Sequence, residues 1–204
     1  MSAIPVIGLV GGIGSGKSAV GEILVELGCV VTNSDRVAHE CLEEPSVVTM
    51  LVSRWGDRIL SPDGSPDRSA ISGIVFSDDA ERIWLESVLH PMVNHRRRMT
   101  FESLDPNTPG FVIDAPLLFE AGIDSECDMI FFVDAPLDQR LERVVTSRGW
   151  SEENLTAREA RQMSLEVKRA RSTHLISNDG SIEDLRSLVV NAFGRIRPLP
   201  PRAT

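Results

Sequence analysis

Along this chain, short continuous apolar runs alternate with stretches in which apolar residues recur every three or four positions. The first run, residues 4–10, predicts a buried strand, and Val20, Ile23, Leu24 and Leu27 behind it predict a helix closed by Gly28. Cys29-Val30-Val31 predicts a second strand, ending in the turn-forming Thr32-Asn33-Ser34-Asp35. Phe111-Val112-Ile113-Asp114, residues 129–133 and Leu175-Ile176 predict three more. The run 129–133 does not alternate, so it is expected at the centre of a sheet covered on both faces. Behind Pro136, Leu137, Leu141, Val144 and Val145 predict a helix with a buried stripe, and Ser181 with Asp184 forms a capping box opening a last helix.

Residues 45–105 carry helix signals and few strand signals. Residues 46–55 are helix-like, Pro62-Asp63-Gly64 is a turn, and Ser77-Asp78-Asp79 caps a helix through Trp84, Leu85, Val88 and Leu89. His90-Pro91 is expected to end it, with a further helix over 92–104 bearing Arg96, Arg97 and Arg98. Ser151-Glu152-Glu153 opens a further polar, arginine-bearing helix with little apolar face, which predicts a mobile flap, and the proline-rich tail from residue 197 predicts disorder. Alternation of strand and helix gives an α/β fold: a doubly wound parallel five-stranded sheet flanked by helices, with a helical insertion.

The turn after the first strand changes the picture from fold to chemistry. Gly11-Gly12-Ile13-Gly14-Ser15-Gly16-Lys17-Ser18 fits G-x-x-x-x-G-K-[ST], between a strand and a helix as that motif requires. Its glycines let backbone N–H groups converge on one anion, Lys17 supplies a cation for the β- and γ-phosphates, and Ser18 offers a hydroxyl to Mg²⁺. Asp114 ends a strand as a Walker B acid does, suited to holding Mg²⁺ through water or to taking a proton from an attacking hydroxyl. Asp35 is expected on the same sheet edge, where it also suits a cap for a helix over 36–42.

Composition narrows the partners. Over 204 residues, 21 basic against 30 acidic side chains give a net charge of −9, which argues against a protein that coats nucleic acid or anionic membrane. Residues 140–171 run the other way, with eight basic against five acidic side chains, and so invite an anionic ligand. Arg140, Arg143 and Arg148 suit phosphate contact, whereas Arg158, Arg169 and Arg171 read as solvated. Cys29, Cys41 and Cys127 are too widely spaced for a zinc site or a disulfide framework and read as packing residues of a cytoplasmic protein. No apolar run approaches the length of about 18 residues that a membrane span needs.

The ordered set of motifs resembles the dephospho-coenzyme A kinase family over nearly the whole chain. Its carriers are the phosphate loop, Asp35, Leu89-His90-Pro91, the segment from Asp114 through Pro116-Leu117-Leu118 to Glu120, Gln139-Arg140-Leu141 with Arg143 and Arg148, and Asn178-Asp179-Gly180. The resemblance implies a P-loop kinase fold in one domain: a core (residues 1–44, 106–148 and 172–197), a helical acceptor-binding region (45–105) and a lid (149–171). It implies phosphorylation of the ribose 3′-hydroxyl of dephospho-CoA by ATP with Mg²⁺. A monomer or weak homo-oligomer is expected. Gly12, Ile13, Gly14, Ser15, Gly16, Lys17, Ser18 and Ala19 would bind the nucleotide phosphates, with Arg140, Arg143 and Arg148 closing over them and Asn178 near the adenine. Asp35 would be the base or hydroxyl-orienting carboxylate, and His90, Asp114, Leu117 and Leu118 would line the acceptor side. Mg²⁺ would be held by Ser18 directly and by Asp114 through water.

The chain departs from the family pattern at Asn33, where an acid is usual, at Ala19 in place of Thr, at Ser172-Thr173 in place of Ala-Asp, and at Gly149-Trp150. Lys17, Asp35 and Arg143 are kept. Two other readings fit the loop alone: a kinase for another small acceptor, nucleotide or alcohol, and a nucleotide-binding switch. The guanine-selective form of the second displays N-K-x-D, and no Asn here is followed by Lys.

Overall fold

The structure, a computed structural model, describes residues 4–196; the tail from residue 197 lies outside them. In chain order, β1 (Val6–Gly11), α1 (Lys17–Glu26) and β2 (Val30–Asn33) are followed by four helices, α2 (Ser34–Leu42), α3 (Pro45–Trp55), α4 (Arg68–Ser77) and α5 (Asp79–Glu102). Then come β3 (Phe111–Asp114), β4 (Met129–Asp134), α6 (Leu137–Arg148), α7 (Glu152–Glu159), α8 (Leu165–Arg171), β5 (His174–Ser177) and α9 (Ile182–Phe193). The chain divides into two compact units, residues 34–103 and the remainder.

The larger unit is built on a five-stranded sheet of order β2-β3-β1-β4-β5, every neighbouring pair parallel. β1 is the central strand, and β4, expected there, lies between β1 and β5. All six residues of β1 are buried, and Gly8 leaves room for Leu118, which a Cβ at that position would meet at 2.8 Å. Ile7, Leu9, Val112, Phe131 and Ile176 pack with Val20 and Leu24 of α1 and with Leu185 and Val189 of α9. Burial pushes the Cys29 thiol up to about 11, so it packs here as a neutral group. The chain leaves β1 toward β2 and leaves β4 toward β5, in opposite directions from adjacent strands, and such a divergence opens a crevice beyond the strand ends.

Three helices of this unit differ from the pattern read off the sequence. In α6, Leu137 and Val145 are half exposed while Arg140 and Val144 are buried, because the helix packs on the phosphate loop rather than on the core. The segment 151–171 is anchored: Leu155 of α7 is buried, and Lys168 of α8 is fully buried. The Lys168 ammonium donates to the Pro116 carbonyl (2.7 Å) and to Gln162 Oε1 (3.0 Å), with Glu120 Oε1 at 3.2 Å. Removing one partner of a buried charge leaves the other uncompensated, so such a site is costly to break.

The smaller unit has its own core, in which Val37, Cys41, Leu51, Ile59, Leu85 and Leu89 pack together. α2 begins at Ser34, directly after β2, so Asp35 lies in the first helical turn rather than at a cap. α4 had no clear sequence signal; the Asp67 carboxylate caps it, accepting from Ser69 N (2.8 Å) and Ala70 N (3.1 Å). The largest difference is α5, which runs unbroken through Pro91 where a break is expected. Leu85, Leu89, Val93 and Arg97 recur every four residues along one buried face, and packing of that stripe outweighs the hydrogen bond the proline cannot donate. Pro91 is exposed, so replacing it disturbs no core contact. Pro91→Ala is expected to raise the thermal midpoint, with a gain of about 1 kcal/mol after the lost rigidity of the unfolded chain is set against the restored N–H. An unchanged or lower midpoint in a melting experiment would show that the helix tolerates the ring without strain.

Candidate active site

The loop between β1 and α1 is held open by glycine conformations. Gly16 has φ 92°, a left-handed value, and a Cβ there would strike the side-chain nitrogen of Asn178. α1 starts at Lys17, so the partial positive charge of its first turn faces the loop. Lys17 Nζ folds back over the loop and donates to the carbonyls of Gly11 (3.0 Å) and Gly12 (3.1 Å).

The loop is gripped at three consecutive carbonyls. Arg140 Nη1 donates to Ile13 O (3.3 Å), Arg143 Nη1 to Gly14 O (3.3 Å) and Ser15 O (3.4 Å), and Asn178 Nδ2 to Ser15 O (2.7 Å). In a trans peptide the N–H points opposite to the C=O, so fixing the Ile13 and Ser15 carbonyls turns the Gly14 and Gly16 amides the other way, while Ser15 N donates within the loop to Gly12 O (3.2 Å). Arg143 Nη2 also donates to Gln139 Oε1 (3.1 Å) and to Asn178 O (3.0 Å), joining α6 to the segment after β5. That segment is stiffened where α9 begins. Ser181 Oγ and Ser181 N both donate to Asp184 Oδ2, which holds the Asp184 carboxyl below its usual range.

One residue at this loop escaped the sequence reading. Glu159, the last residue of α7, accepts from Ile13 N (3.0 Å) and from Arg140 Nη1 (2.5 Å) through the same Oε1 atom. A lone glutamate in a charged helix carries no sequence signal. Lys168 likewise shows in the sequence only as one more basic residue, although the structure buries it.

Asp114 is buried at the end of β3, in register with Asn33 of β2, and Asn33 Nδ2 donates to Asp114 Oδ2 (2.7 Å). The departure at residue 33 therefore supplies a donor where a second acid would set two carboxylates together. Ser18 is exposed in the first turn of α1. Leu118 is fully buried against β1 and packs there instead of lining a pocket, while its neighbour Leu117 is 36% exposed. Arg148 is exposed and lies over the Trp150 ring at 4.8 Å, which Arg158 flanks at 4.2 Å. Arg169 and Arg171 pair with Asp134 (3.1 Å) and Asp124 (2.6 Å). Asp35 and His90 are exposed on α2 and α5 of the helical unit.

With this loop and its clamp in view, comparison with known proteins is decisive: the family model for dephospho-CoA kinase matches residues 5–184. The chain belongs to the dephospho-CoA kinase family. A dephospho-CoA kinase from Synechococcus sp. strain CC9605 is 41% identical over 176 residues, spanning 85% of this chain and 84% of its own. The crystal structure of TT1252 from Thermus thermophilus superposes with a TM-score of 0.83 at 34% identity, covering 96% of this chain and all of that one. The dephospho-CoA kinase from Campylobacter jejuni follows at 0.69 and 25%, covering 93% and 95%. The P-loop kinase fold and the kinase activity of the family thus belong to a chain whose loop is gripped by α6 and Asn178. No helix among the described residues is long and apolar enough to cross a membrane.

In this kinase the Asn178 amide is the buried donor to the loop, so its loss should be felt in stability before catalysis. Asn178→Ala is expected to cost about 1 kcal/mol in thermal unfolding, because the Ser15 carbonyl then keeps only the longer bond from Arg143 (3.4 Å). Asn178→Asp should cost at least as much, since a carboxylate cannot donate to Ser15 O. A wild-type midpoint in both variants would remove Asn178 from the clamp.

Proposed function

We propose that the enzyme transfers the terminal phosphoryl group of ATP to the ribose 3′-hydroxyl of dephospho-CoA, giving coenzyme A, in the cytoplasm. The observation that carries the donor half is the grip on Ile13, Gly14 and Ser15 by Arg140, Arg143 and Asn178, which leaves the Gly14 and Gly16 amides facing the other way, with Lys17 at the rim of the loop. The acceptor half rests on family membership.

The roles of the side chains follow from what phosphoryl transfer demands. The transition state is loose and its charge is spread over the transferring oxygens, so positioning and charge neutralisation supply most of the catalysis. Loop amides and the Lys17 ammonium hold the β- and γ-phosphates, and the Arg140 and Arg143 guanidinium groups offset charge as it moves toward the leaving oxygen. Asp35 aligns the 3′-hydroxyl and takes its proton or shares it, while His90 and Leu117 contact the acceptor. The Ser18 hydroxyl and the Asp114 carboxylate are hard oxygen donors of the kind Mg²⁺ takes alongside substrate phosphates, and they would hold that ion, Asp114 through water. Bound there, Mg²⁺ would supply further charge neutralisation at the phosphates.

The test is an acceptor screen with ATP consumption and product mass as readouts. Dephospho-CoA should be preferred over nucleotides and simple alcohols; equal use of another acceptor would reject the assignment. Lys17→Ala, Asp35→Ala and Arg143→Ala are each expected to lower turnover by roughly 10²-fold or more, the scale of losing one preorganised electrostatic partner. Near-normal turnover in Asp35→Ala would strip that residue of its role.

A further inference from the structure

Glu159 stands out because nothing in the transfer reaction calls for a carboxylate against a phosphate cradle. Its Oε1 takes a loop amide, Ile13 N–H, and one of the two clamp guanidinium groups, Arg140, at once. Those are the two kinds of donor that a nucleotide phosphate oxygen would use. The carboxylate sits directly over Gly12: a Cβ there would meet Arg140 Nη1 at 2.7 Å and Glu159 Oε1 at 3.1 Å. Its position on its own helix adds a second argument. As the final residue of α7 it places negative charge at the helix's negative end, so the helix gains nothing from it. The Arg140 side chain is 8% exposed and the Glu159 side chain 20%, so the pair is largely shielded from water.

We infer that Glu159 is a stand-in for a nucleotide phosphate oxygen: without nucleotide it satisfies Ile13 N–H and Arg140, and on binding the nucleotide displaces it, releasing the end of α7 from the loop. The inference rests on the loop being a nucleotide phosphate site, but not on the identity of the acceptor. Glu159 thereby sets nucleotide affinity: the donors are never left unpaired, and every nucleotide that binds must first exchange places with a carboxylate. Product release gains from the same exchange, because the carboxylate is ready to recapture both donors as the nucleotide leaves.

The alternative is that Glu159 orients Arg140 in both states and cooperates with the nucleotide. The two differ in sign. Calorimetric titration of the full chain with inorganic tripolyphosphate, and with ATP in the absence of acceptor, reads that sign without turnover. Under the displacement reading Glu159→Gln, which keeps size but removes the competing charge, binds both about tenfold more tightly than wild type. Its ligand-free melting midpoint falls, while the shift that ATP produces grows. Glu153→Gln, an exposed acid on the same helix, is the control for a general charge effect and should change affinity less than twofold. Unchanged or weaker binding by Glu159→Gln overturns the inference, as does an equal gain in the Glu153→Gln control. Failure of dephospho-CoA as preferred acceptor would leave this result standing, whereas no tripolyphosphate or ATP binding by either form would remove the nucleotide reading and this inference together.

Discussion

The structure depends on a property of the peptide bond: its carbonyl and its N–H point in opposite directions, so a loop can offer amides inward only if its carbonyls are satisfied outward. Here three successive carbonyls, those of Ile13, Gly14 and Ser15, meet donors from α6 and from the segment after β5. Each bond is modest in isolation, but together they fix the dihedrals of a glycine-rich stretch that would otherwise be among the most mobile in the chain. The arginines that suit phosphate chemistry thus also shape the cradle, a double use that explains why α6 buries Arg140 and exposes Leu137.

Sheet topology supplies those donors. β1 and β4 are neighbours whose following helices depart in opposite directions, so α1 and α6 flank the crevice at their strand ends. Asp114 reaches the same end of the sheet two strand positions before β1 closes, paired to Leu9 in register. Behind it, the segment Ala115 to Glu120 is tied down by the Lys168 ammonium through Pro116 O and by Met163 N through Glu120 Oε1. A region read as a flap is therefore stitched to the core by a buried cation and by Leu155.

The helical unit follows a different logic, with a core of its own and a long helix as its backbone. Trp55 and Trp84 meet edge to face at 5.2 Å, and the Trp55 indole N–H donates to Glu81 Oε2 at 2.7 Å, so the ring is both packed and satisfied. The Arg54 guanidinium beside Glu81 holds that carboxyl below the usual range. These contacts join α3 to α5 and make the unit compact without help from a strand.

By itself the sequence determined the strands, the phosphate loop, most helix starts and the family, because each depends on local chemistry: apolar runs, glycine spacing, capping residues and an ordered motif set. It did not determine whether Pro91 ends a helix, which strand is central, or what Arg148, Leu118, Lys168 and Glu159 touch. Those outcomes are decided by partners distant in the chain. A proline is tolerated when a stripe on both sides of it is buried, Leu118 becomes core because Gly8 makes room for it, and Glu159 meets Ile13 across 146 positions of sequence. Periodicity reports which face of an element is apolar; only the folded chain decides which charged side chain is pressed against which backbone carbonyl.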